Sequence, residues 1–97
     1  MTSAKGGDKR ILTILNKRGL HARASAKFVT IAGEYDASVT VSKDGTSVCG
    51  TSIMGLMMLA AAIGEEITIE GKGVQKDQLL DALEELVDDK FGEEAPL

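Results

Sequence analysis

What this chain lacks narrows its function before any motif is read. Tryptophan is absent, and aromatic residues make up only 3% of the sequence. Proteins that hold single-stranded nucleic acid stack its bases on aromatic faces, and that platform is missing here. The core must therefore be built from Ile, Leu, Val, Ala and Met. Positive charge is scarce too: 11 Lys and Arg stand against 15 Asp and Glu, for a net charge of −4. A nucleic-acid surface must neutralise phosphates with a basic face, so no nucleic-acid partner is expected. The lone cysteine, Cys49, can close no internal disulfide. It reads as a small strand residue in a chain suited to a reducing cytoplasm. No apolar run approaches the roughly 18 residues of a membrane span, and the first residues lack the apolar segment of a signal peptide. With one histidine and one cysteine the chain is too poor in ligands for a typical metal site. No glycine-rich nucleotide cradle is present either. The expectation is a cytoplasmic protein that carries no metal or cofactor and does not insert into a membrane.

The 97 residues suit one small domain with a single core. Residues 1–9 are small and polar and read as a disordered tail, residues 10–92 as the folded domain, and residues 93–97 as a short acidic tail. Within the domain, residues 11–15 form an apolar, β-branched-rich strand. Gly19 breaks the chain, and a helix is predicted over Ala22–Ala32, with Ala26, Phe28, Val29, Ile31 and Ala32 as candidates for its inner face. Gly33 caps it. Residues 37–42 alternate with period two. The Asp44-Gly45 pair then turns the chain into a returning strand over 46–50, with Val48 facing the core. A second helix is predicted over 53–62, capped by Ser52 and burying Leu56, Leu59 and Ile63 on one face. Residues 66–70 alternate as a fourth strand. The longest amphipathic helix runs from residue 74 or 75 to 91, with Leu79, Leu80, Leu83, Leu86 and Val87 inward. The order βαββαβα predicts an α+β open-faced sandwich: a four-stranded antiparallel sheet covered on one face by three helices.

The chemistry gathers at the single histidine. His21 sits in Asn16-Lys17-Arg18-Gly19-Leu20-His21-Ala22-Arg23-Ala24-Ser25-Ala26-Lys27, after a glycine hinge and at the mouth of a predicted helix. Helix N-termini present unpaired amides and positive partial charge, which favour anions. Beside a guanidinium, an imidazole so placed suits the carriage of a phosphoryl group, and Arg23 can add charge-assisted hydrogen bonds to its oxygens. Without the wider sequence, a loop-filling histidine is an even alternative. Lys17, Arg18, Arg23 and Lys27 form a local basic patch that would steer an acidic partner.

Gly19-Leu20-His21-Ala22-Arg23 resembles the active-site signature of the HPr family, the phosphocarrier proteins of the phosphoenolpyruvate-dependent phosphotransferase system. Gly50-Thr51-Ser52-Ile53-Met54-Gly55-Leu56-Met57 is similar to that family's second signature, around a regulatory serine. The two stand at the family's spacing within residues 10–90. The resemblance implies a carrier rather than an enzyme. Phosphate would be taken on Nδ1 of His21 from phosphorylated enzyme I and passed to an enzyme IIA-type acceptor of a sugar-transport or nitrogen-related system. It implies a monomer, with Arg23 stabilising the phosphoryl group and Ser52 open to a kinase and phosphorylase. Ala24 departs from the pattern, since the family usually has proline there. A docking patch is expected from Leu20, Lys27, Ile53, Met54 and Met57, joined by Met58 and Phe28, because flexible exposed methionines suit a surface with several partners. The alternative is a regulatory protein-binding module on the same fold, controlled by phosphorylation of His21 or Ser52.

Overall fold

Apolar alternation with period two and period 3.6 sets the architecture that the computed structural model describes for residues 8–93. The four strands are β1 (Lys9–Thr13), β2 (Ser38–Lys43), β3 (Thr46–Cys49) and β4 (Glu66–Lys72), and the helices are α1 (Ala22–Ala32), α2 (Ile53–Leu59) and α3 (Lys76–Asp88). A 3-10 turn over Lys90–Gly92 follows α3. The strand order is β1-β4-β2-β3, and every pairing is antiparallel, with Ile11 opposite Thr68 and Val41 opposite both Val48 and Ile69. The expected open-faced sandwich is therefore the fold. One strand face buries Leu12, Val39, Val41, Ile67 and Ile69 against Phe28, Leu56, Leu79, Leu80, Leu83 and Val87. The other face is mostly polar, as the alternation requires.

Local chemistry accounts for the turns. Asp44 and Gly45 both take positive φ, 50° and 83°, the geometry of the two-residue hairpin whose twist matches its strands. Helix α1 runs over the predicted residues. Its fully buried stripe is Ala24, Phe28 and Ala32, spaced four apart, together with Ser25. Ala26, Val29 and Ile31 are only half-buried, so the inner face lies rotated from the expected one.

Three boundaries differ instructively from the sequence-based expectation. Strand β1 begins at Lys9, inside the expected tail, and Arg10 points inward with its side chain 6% exposed. Its Nη1 meets Asp81 at 2.6 Å and Glu84 at 3.0 Å. Those carboxylates lie three residues apart on α3, and their charge allows an arginine where alternation asks for an apolar residue. Helix α2 stops at Leu59, not at residue 62. Ala60 adopts a left-handed conformation, φ 52° and ψ 38°, and its N–H donates to the Met57 carbonyl. The chain then turns, so Ala61 is buried and Ile63 is 53% exposed rather than on the inner face. At the other end, α3 stops at Asp88, and Phe91 is buried from within the 3-10 turn. Residues 1–7 and 94–97, most of the two expected tails, lie outside the described residues. Among the described residues no helix is long and apolar enough to cross a membrane.

Candidate functional site

The site is built where three loops meet beside the start of α1. Asn16 is wholly buried, and its Nδ2 donates to the Gly19 carbonyl at 2.9 Å, closing the loop before His21. Gly19 is required there for two reasons. Its φ is +65°, and a Cβ would fall 2.2 Å from the Ala61 carbonyl oxygen. That same oxygen accepts from the Leu20 N–H at 3.0 Å. The early end of α2 thus supplies the ledge on which the His21 loop rests.

His21 is itself the N-cap of α1, with extended backbone at φ −75° and ψ −178°. Its carbonyl accepts the first helical bond, from the Ser25 N–H at 2.9 Å, and the Ser25 hydroxyl donates to the Leu20 carbonyl at 3.2 Å. The imidazole does what a capping serine or aspartate usually does. Its Nδ1 accepts from the Arg23 N–H at 3.3 Å, satisfying one orphan amide of the first turn. An atom that accepts from an N–H bears no proton, so the ring proton sits on Nε2. Nε2 donates it to Glu93 Oε2. The ring is thereby fixed with a lone pair on Nδ1, at the positive end of a helix of 11 residues.

Glu93 is held from both sides. Its Oε1 accepts from Asn16 Nδ2 at 3.0 Å while its other oxygen takes the His21 proton. Burial pushes the Glu93 carboxyl up. The hydrogen bonds from Asn16 and His21, with the charge of nearby Arg18, outweigh that and leave it below the ordinary value. It is therefore ionised at neutral pH. Lys27 ties down the same segment, with Nζ donating to the Phe91 carbonyl at 2.6 Å. An open cavity of about 400 Å³ lies alongside, lined by Lys17, Arg18, Arg23, Lys27, Gly92 and Glu93. Four cations thus gather at one place in a chain whose net charge is −4.

The remaining predicted residues fall into three groups. Ser52 caps α2, its Oγ accepting from the Gly55 N–H at 2.9 Å. Ile53, Met54, Met57 and Met58 are 39%, 73%, 41% and 78% exposed and form an apolar surface on α2. Leu20 and Phe28 do not belong to that surface. They are 4% and 0% exposed and pack in the core, because the Gly19 turn drives Leu20 under the loop and Phe28 lies on the inner stripe of α1. Lys27 faces the cavity and the Phe91 carbonyl. Reading the sequence alone misses Glu93, assigned to a tail, and the role of Asn16. Asn16 stands within the His21 run, but nothing local marks Glu93, which reaches the site only through the path of α3 and the turn after it.

Comparison with known proteins identifies the family. A family model described as the phosphorylation site of the PTS HPr component matches residues 9–89. The phosphocarrier protein HPr of Cupriavidus necator is 48% identical over 85 residues, covering 88% of this chain and 96% of that protein. The phosphocarrier protein NPr of Shewanella violacea is 45% identical, covering 88% and 93%. Among solved structures, HPr-C-His from Thermoanaerobacter tengcongensis superposes with a TM-score of 0.85 at 37% identity, covering 90% and 98%. The chain therefore belongs to the HPr family of the phosphotransferase system, and is a phosphocarrier protein rather than an enzyme.

Proposed function

We propose that this chain accepts a phosphoryl group from phosphorylated enzyme I on Nδ1 of His21 and hands it to an enzyme IIA-type acceptor. The observation that carries this reading is the imidazole itself: an N-capping ring whose unprotonated nitrogen lies among the amides of a helix start. As Nδ1 attacks phosphorus, the Arg23 N–H is released to the incoming oxygens, and the first-turn amides replace the capping bond with bonds to the phosphoryl group. The dipole contribution is about 0.3–1 kcal/mol for an exposed group, and up to about 2 where partly buried. That is enough to favour a dianion without trapping it, as a carrier requires. The Arg23 guanidinium lines the adjoining cavity and supplies charge-assisted hydrogen bonds.

The proposed docking surface combines the cations around the cavity with Ile53, Met54 and Met57 on α2. In this reading the protein works as a cytoplasmic monomer. Ser52 is a regulatory position whose phosphorylation adds charge beside the apolar patch. An acceptor in sugar uptake and one in a nitrogen-related branch both fit, as relatives named HPr and NPr are similarly close. Ala24 replaces the family's usual proline in the first turn of α1. Its N–H there has no intrahelical acceptor, so the change removes rigidity and no helical bond.

Incubation with phosphoenolpyruvate and enzyme I tests the reading. One acid-labile phosphate per chain is expected, and none in His21→Ala. Label retained by that variant would refute it.

A further inference from the structure

Glu93 lies four residues beyond position 89, the last that the family model matches, yet its carboxylate meets the His21 ring directly. It is not placed there by chance packing. Phe91 is buried in the core with φ +56°, Lys27 holds the Phe91 carbonyl, and buried Asn16 holds one Glu93 oxygen. These three anchors deliver the second oxygen to His21 Nε2. The His21 and Glu93 side chains are only 15% and 14% exposed, so water competes weakly for the proton between them.

We propose that Glu93 is a positioning residue for His21: its carboxylate holds the Nε2–H tautomer and so keeps the reactive lone pair on Nδ1. This rests on the phosphocarrier reading of His21. In the forward step the Nδ1 lone pair forms the N–P bond as phosphorus parts from the phosphorylated donor protein, whose group leaves with the bonding electrons. The ring proton stays on Nε2. The phosphorylated ring is then cationic, and the Glu93 carboxylate offsets that charge among the surrounding Lys17, Arg18, Arg23 and Lys27. In the onward step the acceptor's nucleophile attacks phosphorus and the N–P electron pair returns to Nδ1. The leaving group is the neutral imidazole, already in its starting tautomer. No proton need enter or leave the ring in either step. A carboxylate that orients a histidine through its second nitrogen is a recurring device where imidazole must present one chosen nitrogen.

The test reads the ring before any phosphate is present. The 15N spectrum of the His21 imidazole, taken where the ring is neutral, should show Nε2–H and unprotonated Nδ1 in the wild type. In Glu93→Ala the Nδ1–H form should rise, and transfer from phosphorylated enzyme I should slow by about 10-fold or more. Glu93→Gln keeps an acceptor without the charge, and should restore the tautomer but only part of the rate. Backbone amide spectra away from the site should match among all three. Ring nitrogens unchanged in Glu93→Ala would overturn the proposal, as would a changed tautomer with an unchanged rate. If the wild type took no phosphate, the phosphocarrier reading would fall, and the ring spectra would still decide the pairing of Glu93 with His21.

Discussion

At the residue scale, the two ends of one imidazole have different tasks. Nε2 faces a carboxylate that is itself fixed by a buried amide, and Nδ1 faces the amide of Arg23. In the proposed mechanism the division accounts for a capping histidine rather than serine: once Nδ1 carries the phosphoryl group, amide bonds to the phosphoryl oxygens take the place of its capping bond. Arg23 is exposed, so its guanidinium can be removed without leaving a hole in the core. A hydrogen bond to a charged group is worth about 1.5–3 kcal/mol. Arg23→Ala should therefore slow transfer by roughly 10- to 100-fold with an unfolding midpoint close to that of the wild type. Rapid-quench measurement of label transfer checks this, and wild-type kinetics in the variant would take the guanidinium out of the reaction.

At the element scale, the site depends on helices ending where they do. Helix α1 was legible in the sequence because its limits have local causes: a break at Gly19 before it and Gly33 after it. The hairpin at Asp44-Gly45 was legible for the same reason. The end of α2 was not, because Ala60 enters the left-handed region without the glycine that usually marks such a position. What holds it there is tertiary, since the next carbonyl must reach the Leu20 N–H. The left-handed form costs a non-glycine residue roughly 1–2 kcal/mol, partly offset by the greater freedom glycine gives the unfolded chain. Ala60 is exposed, so Ala60→Gly loses little packing. It should raise stability by about 0.5–1 kcal/mol, seen as a higher urea midpoint at unchanged m-value. A lower midpoint would show that the αL strain at Ala60 is not limiting. Strand β1 was misplaced for a similar reason. Arg10 is held inward by Asp81 and Glu84 from α3, a contact no local pattern announces.

At the scale of the whole molecule, charge and apolar surface are segregated. The chain is acidic overall, but Lys17, Arg18, Arg23 and Lys27 ring the cavity beside His21, and exposed Met54, Met57 and Met58 lie on the neighbouring helix. The basic cluster and the methionines were visible as sequence, since each lies in a continuous run. Their arrangement was visible only in part: Leu20 and Phe28 had to be withdrawn from the surface, and Glu93 added from the far end of the chain. Such a field should steer an acidic partner. Raising ionic strength from about 0.01 to 0.15 M shortens the screening length from about 30 to 8 Å. The association rate with enzyme I should then fall severalfold, with little change in dissociation. Arg18→Glu should slow association more at low salt than at high salt. Stopped-flow binding would show both effects, and salt-independent association would leave the cationic cluster without a steering role.

The most direct measurement is the position of the phosphoryl group on the ring. The chain should be labelled with 15N at histidine, phosphorylated with phosphoenolpyruvate and enzyme I, and examined for 31P–15N coupling. Coupling to Nδ1 alone is expected, because Nε2 retains its proton toward Glu93. Coupling to Nε2, or phosphate on any residue other than His21, would contradict the proposed mechanism.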